Sequence, residues 1–423
     1  MSIVGLITEY NPFHMGHEYH IKKAKELTGA DTAIVIMSGN FVQRGTPAFL
    51  DKYTRTEIAL NHGADIILEL PIPFSHLSAE YFAYAAVNLL NKTDIVDYLC
   101  FGCECDDLNL LSSIADVLYS AKKDPSHSLN AYIKAYSKDG LSYASARSLG
   151  LKDYFNNSSD HKKYKNQLSD IIDKPNNILA IEYLKALTHI NSNIKPIALK
   201  RVKASYHEDN ANNVMYSATS LRNAINCGNN FNELISFDKK YEMIFTNPSS
   251  LCIDDFSQIL GQRLLFEKSL NTDLSIYAGI DSSLSNRIYN VLNSNGLKSI
   301  TGFIEKLKTK NIAYSAISRG LLSIILNITE TDVYDYMTND IASYARILGF
   351  KKDASHLLND IKKRSSLTLI GQLKEANDNP NLNDVDNKML KQSIYCDELY
   401  NMVVRTKYNS DIPNEFERRI III

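Results

Sequence analysis

Ile3-Val4-Gly5-Leu6-Ile7-Thr8-Glu9-Tyr10-Asn11-Pro12-Phe13-His14-Met15-Gly16-His17-Glu18-Tyr19-His20 is the stretch on which the fold turns. Ile3–Ile7 is a short apolar run that ends in a polar turn containing Asn11 and Pro12. Helix-forming residues follow from about Gly16 to Leu27, closed by Gly29. The same alternation continues through Thr32–Met37, a helix over Lys52–Asn61, Asp65–Leu70, a helix over Ser75–Leu90, and Val96–Phe101 ending at Gly102. Short, wholly apolar strands alternating with helices build a parallel sheet covered on both faces. The expected class is therefore α/β with a Rossmann-like parallel sheet. Such sheets gather ligands at the C-terminal ends of their strands. Chemistry is to be sought after Ile7, Met37, Leu70 and Phe101.

Farther along, residues 106–170 turn Ser-, Asn- and Lys-rich with helical patches, and read as an insertion whose Asn156–Lys165 segment is an exposed loop. The sheet pattern resumes with a helix near Asn177–Ile190, the run Ile194–Val202, and Ser217–Asn226. From about 230 the pattern turns helical, with Leu321–Leu326, Ile341–Leu348 and Ala354–Lys363 read as helices. The expected organisation is an α/β nucleotide-binding domain over 1–230 and a mainly α-helical domain over 231–423. A chain of 423 residues has ample length for both.

Composition excludes several classes. Apolar residues make up 44% and charged residues 22%, which excludes a disordered chain. The net charge of −2 supplies no global basic field, so an RNA partner needs a local patch of cations. No apolar run reaches the ~20 residues that cross a bilayer. The first residues lack a basic region and carry Glu9, unlike a signal peptide, so the expected location is cytoplasmic. Cys100, Cys103 and Cys105 have no second CxxC or CxxH pair and are read as packed thiols, not a zinc site.

The candidate chemistry begins with His14 and His17, which flank Gly16 at an expected helix N-terminus. Free backbone N–H groups and the helix dipole favour an anion there. Imidazoles can donate to phosphate oxygens whose charge grows as an α–β phosphate bridge breaks. A metal reading is weaker, because no carboxylate or third histidine lies at the right spacing. The stretch Ser217-Ala218-Thr219-Ser220-Leu221-Arg222 is a hydroxyl-rich helix start, either an N-cap or a phosphate site with Arg222 as its cation. Gly102 ends the fourth run, either as a turn or to let a base or ribose approach. Asn176 is an N-cap or a ribose or base contact, and Arg201 a surface residue or a phosphate partner. Ser38, Asn40, Gln43 and Arg44 lie in a loop after the second strand that is too polar and Gly-rich for a mere connection. Neighbouring Asp51, Lys52 and Arg55 read as a helix start.

His14-Met15-Gly16-His17 after a first strand resembles the HxGH motif of the nucleotidylyltransferase (HUP-type) superfamily, and Ser217–Arg222 resembles its distal motif. With Met37–Gly45, Pro175–Leu179 and Tyr344–Phe350, the chain resembles the tRNA(Met) cytidine acetate ligase family over essentially its whole length. The resemblance implies an enzyme that activates acetate with ATP as acetyl-adenylate. It then acetylates N4 of the wobble cytidine, position 34, of elongator tRNA(Met). It also implies that Ile7, Thr8, Glu9, Tyr10, Asn11, Pro12, Phe13, His14, Met15, Gly16, His17, Glu18, Tyr19 and His20 cradle ATP, completed by Gly102, Asn176, Arg201, Ser217 and Thr219. His14, His17 and Arg222 would act on the phosphates, with Mg2+ accompanying ATP and no tightly bound metal or prosthetic group. With those substrates, Ser38, Asn40, Gln43 and Arg44 are read as the acetate and cytidine side of the cleft, and the tRNA footprint is expected in the helical half, through Arg319, Arg346 and Lys351. The runner-up is a small-molecule adenylyltransferase, against which the long helical extension argues. A third reading, an RNA-binding protein using the nucleotide pocket as a switch, conflicts with the intact motifs.

Overall fold

The structure is a computed structural model that describes residues 2–159, 162–164, 167–168, 171–201, 218, 222, 250–376 and 379–423. The first alternation folds as read. Strand β1 (Ile3–Thr8) leads to α1 (Met15–Thr28), β2 (Thr32–Ser38), the small hairpin β3 (Phe41–Val42) and β4 (Thr46–Pro47), and α2 (Lys52–Asn61). Then come β5 (Ile66–Leu70), α3 (Ile72–Ser75), α4 (Ala79–Lys92) and β6 (Tyr98–Cys103). The insertion is helical, as α5 (Leu108–Lys123), α6 (Ser128–Lys138) and α7 (Tyr143–Asn157), and is followed by α8 (Pro175–His189) and β7 (Lys195–Lys200).

Alternation along the strands decides which face each residue covers. Val4, Leu6, Val35 and Ile67 pack with α1 and α2 residues such as Ile21 and Ile58. Ile3, Ile34, Ile36, Ile66 and Leu68 pack on the other face with Phe82, Leu111 and Ile181. Both faces are dry, which is why these strands carry no polar alternation.

The second half departs from expectation. Helices α9 (Ser257–Ser269), α10 (Ser282–Asn295), α11 (Ile300–Leu307), α12 (Tyr314–Leu326) and α13 (Glu330–Thr338) do form a helical body. Residues read as a helix at Ile341–Leu348 instead fold as strand β8 (Tyr344–Phe350), which enters the main sheet beside β5. After α14 (Ser355–Arg364), β9 (Thr368–Ile370) and the long α15 (Asp384–Tyr408), the chain ends on β10 (Ile421–Ile422). Among the described residues the sheet has eight strands in the order β10-β8-β5-β2-β1-β6-β7, with β9 also on β8. Every pairing in it is parallel except β5 with β8. Strands β8, β9 and β10, from beyond the division expected at about 230, thus belong to the main sheet. The run Ile341–Leu348 carries Ser343 and Arg346 among its apolar residues, so its period does not separate strand from helix. A fragment ending near residue 230 loses β8 and exposes the β5 edge, so it should aggregate on expression instead of giving a soluble nucleotide-binding unit.

Arg346 explains why β8 sits there. It is 6% exposed, and its guanidinium reaches Glu69 on β5 (3.2 Å), Asp397 on α15 (3.0 Å) and Glu415 (2.8 Å). Lys52, fully buried at the start of α2, meets the same carboxylates, lying 2.9 Å from Glu69 and 3.2 Å from Glu415 and hydrogen-bonding to Asp397. Burial beside the Glu415 carboxylate raises Asp397 to about 7. Glu415, although buried, is held down at about 2 by Lys52 and Arg346. The expectation of a tRNA phosphate contact therefore fails for Arg346, since its charge is already consumed inside the fold. Lys351 lies beside Asp65, 3.3 Å away, just before β5 begins. That is the end of the sheet opposite the loops after Ile7 and Met37.

Candidate active site

A cleft of about 850 Å3 opens above the C-terminal ends of β1, β6 and β7, as sheet topology predicts. Its floor is the loop after β1 and the first turn of α1. His14 is the N-cap of α1. Its Nδ1 accepts the Gly16 N–H (3.0 Å), while His17 Nδ1 accepts the His14 N–H (3.2 Å). The two rings stack with centroids 3.7 Å apart. A Cβ on Gly16 would stand 2.9 Å from the His14 ring, so glycine is what lets the imidazole fold back over the helix start. Because both Nδ1 atoms accept, the neutral rings carry their protons on Nε2 and are donors there.

Both rings are neutral. Burial, with Arg201 and Arg222 nearby, lowers His14 to about 4. Burial and the neighbouring His14 push His17 well below its usual value. His20, which also lines the cleft, falls to about 4 for the same first reason, and its Nε2 has no partner among the described residues. Each of these groups binds fewer protons folded than unfolded between about 4 and its usual 6.5. Stability must therefore fall as pH is lowered through that window. Thermal melts between pH 7 and 5 should show a Tm that declines with acid. A Tm flat over that range would mean that the rings are protonated in the folded chain.

The loops hold their shape through Arg55. Its fully buried guanidinium donates to the carbonyls of Leu50 (2.9 Å), Glu9 (2.6 Å), Ser38 (3.0 Å) and Gly39. It thereby joins the loop after β1 to the loop after β2. Asp51 caps α2, accepting from the Tyr53 N–H, as a helix start should. Glu9 accepts the Gln43 N–H at 2.7 Å, and burial raises its pKa.

The remaining motifs converge on the same cleft. Gly102, Asn176 and Arg201 line one side, and Arg201 donates to the Asn176 side chain at 3.4 Å. Asn176 in turn donates to Glu104 (2.6 Å), whose other oxygen accepts the Asn177 N–H (2.8 Å). Asn177 Oδ1 accepts the N–H groups of Glu104 and Cys105, locking β6 to α8. Arg222 lines the cleft and donates to the Asn11 carbonyl. Ser217 and Thr219 lie outside the described residues. Gln43, Arg44 and Arg319 reach the cleft, whereas Ser38 and Asn40 do not. Both are buried, and Asn40 donates to Asp397 (2.9 Å) and accepts the Lys52 N–H (2.9 Å), which makes it part of the support beneath the loop. Pro12, Phe13, Met15 and Glu18 likewise do not line the cleft, and Phe13 packs in the core.

Sequence reading missed Glu104, the cleft residues Tyr143 and Arg147 of α7, and the part Asn177 and Arg55 play in tying distant segments together. Glu104 carried a usable signal, since a carboxylate two residues past a strand-ending glycine stands at the ligand edge. The others carried none, because their partners are distant in sequence. Cys100 and Cys103 are buried free thiols, raised by burial to about 12. Among the described residues, no group of three or more His, Cys, Asp or Glu side chains is placed to hold a metal, and no helix is long and apolar enough to cross a membrane.

A family model described as HIGH Nucleotidyl Transferase matches residues 1–415. The chain is 38% identical over 408 residues to the tRNA(Met) cytidine acetate ligase of Halothermothrix orenii, covering 95% of each chain. It is 35% identical to that of Acetivibrio thermocellus over the full length of both. The chain belongs to the tRNA(Met) cytidine acetate ligase family. Its fold agrees. A Thermotoga maritima structure titled TmcAL bound with alpha-thio ATP superposes with a TM-score of 0.87 at 27% identity, each chain covered completely. The apo form of that protein gives 0.88. This chain has a mixed, mostly parallel sheet and carries its HxGH motif at the start of α1.

Proposed function

We propose that this chain is an ATP-dependent ligase that activates acetate as acetyl-adenylate and acetylates N4 of the wobble cytidine of elongator tRNA(Met). The observation that carries this reading is the stacked His14–His17 pair, neutral and donating through Nε2, in a cleft that also holds Arg201 and Arg222. A triphosphate placed over the N-terminus of α1 meets the positive end of the helix dipole and these donors together. An acetate oxygen attacks the α-phosphorus, forming the mixed anhydride, and the electron pair leaves on pyrophosphate. Neutral donors suit this step because they stabilise charge that develops on the phosphates without a proton to lose. The cytidine amine then attacks the acetyl carbonyl, and AMP leaves. Proximity and charge stabilisation do the work, with no covalent enzyme intermediate. Mg2+ would travel with the triphosphate, which supplies its oxygen ligands.

The test is ATP–pyrophosphate exchange with acetate, followed by nucleoside analysis of tRNA(Met). Acetate-dependent exchange without tRNA, and N4-acetylcytidine on adding tRNA, are expected. Exchange that ignores acetate but responds to a phosphorylated cofactor precursor would replace this reading with a small-molecule adenylyltransferase.

A further inference from the structure

One wall of the cleft is built from parts that the nucleotide does not explain. Gly45 closes the β3–β4 hairpin at φ +76°, and it lies flat on α12. A Cβ there would fall 2.4 Å from the Arg319 backbone nitrogen and 2.6 Å from the Ser318 carbonyl carbon, both immovable helix backbone. Ser318 Oγ donates to the Gly45 carbonyl at 2.8 Å. Only glycine permits this approach. Its effect is to set Gln43 and Arg44 of the hairpin beside Ser315 and Arg319, one helical turn apart on α12, with all four lining the cleft.

One charge on this wall is unanswered. Arg319 is half-buried, and among the described residues no carboxylate or carbonyl accepts from its guanidinium, whereas Arg346, Arg55 and Arg147 are all paired. An unanswered guanidinium inside a cleft is costly unless an anion completes it. The hairpin is also tied to the phosphate side, because Glu9 holds the Gln43 N–H and feels the positive charges of both Arg44 and Arg222.

We infer that the hairpin–α12 wall is the acid subsite, where Arg319 with Arg44 binds the carboxylate of the acyl substrate. The inference rests on the ligase reading. A planar guanidinium fork matches a carboxylate with two parallel hydrogen bonds. It also offsets the repulsion between that carboxylate and the triphosphate it must approach. The sequence placed Arg319 on tRNA, but a half-buried position inside the cleft suits a small anion better than a polyanion that docks at the surface.

The experiment measures acetate-dependent ATP–pyrophosphate exchange without tRNA for wild type, Arg319→Ala, Arg319→Lys and the exposed-site variant Arg44→Ala. Arg319→Ala should raise the KM for acetate about ten- to hundredfold, as for loss of a charge-assisted contact, with the KM for ATP unchanged. Arg319→Lys should recover part of that loss, and Arg44→Ala should shift the same constant. An unchanged acetate KM with a raised tRNA KM in the complete reaction would overturn the inference and return Arg319 to RNA. A KM for ATP that rises in step would overturn it in favour of a phosphate contact. Wild-type exchange that is independent of acetate fails the ligase reading itself, a result separable from a wild type that responds to acetate and an Arg319→Ala variant that responds equally.

Discussion

Replacing His17 by alanine should lower the rate of acetyl-adenylate formation by about two to three orders of magnitude, the cost of one preorganised donor to developing charge. The ring lies between two tasks. Its Nδ1 accepts the His14 N–H at 3.2 Å and completes the helix cap, and its face stacks on His14. Its Nε2–H is left for the ligand. His17→Asn separates the tasks, since an amide oxygen can still accept from the backbone while its donor is shorter. That variant should keep the melting temperature and still lose most of the rate. Because burial lowers His14 to about 4 and holds His17 well below its usual value, neither ring titrates near that value. The exchange rate should accordingly show no acidic limb centred near 6.5. A folded His17→Ala variant that forms acetyl-adenylate at the wild-type rate would remove the phosphate role from this motif.

Arg346→Ala should unfold the protein well before it affects RNA. Removing one partner of a buried ion cluster leaves uncompensated charge and costs about 3–5 kcal/mol. Here the loss leaves Glu69, Asp397 and Glu415 facing Lys52 alone, in a site where Lys52 is fully buried. The cluster joins β5, β8, α2 and α15, and it underlies the loop whose Gln43 and Arg44 reach the cleft. A calorimetric or denaturant melt should show the drop, and activity measured on the surviving folded fraction should have an unaltered KM for tRNA. A variant with wild-type stability and a raised tRNA KM would restore the surface role that the structure denies this residue.

How much of this was legible beforehand depended on range. The strands β1, β2 and β5 announced themselves because each is buried on both faces, which leaves a run of apolar residues too short for a helix. The HxGH pair was legible for a related reason. Its chemistry is local, made by residues three apart at one helix start, so strand, turn and helix are all visible in a single stretch. Gly102, Asn176 and Arg201 were readable only with the family pattern beside them, although the sheet rule already put Gly102 at the ligand edge. What escaped was every relation between segments far apart. Tyr344–Phe350 has the same apolar density as a helix, and only the vacant edge of β5 makes it a strand. Lys52 and Arg346 look like surface cations in any window of sequence, because the carboxylates that bury them come from Glu69, Asp397 and Glu415. Asn40 looked like a cleft residue for the same reason, and Arg44 with Arg319 became one wall only when Gly45 met the backbone of α12. By itself the sequence determined a parallel sheet, a nucleotide site at its ends and the family, since these follow from periodicity and neighbouring residues. Tertiary structure alone decided which charges are spent inside the fold and which remain for ligands, because a charge's partner is a matter of distance in space.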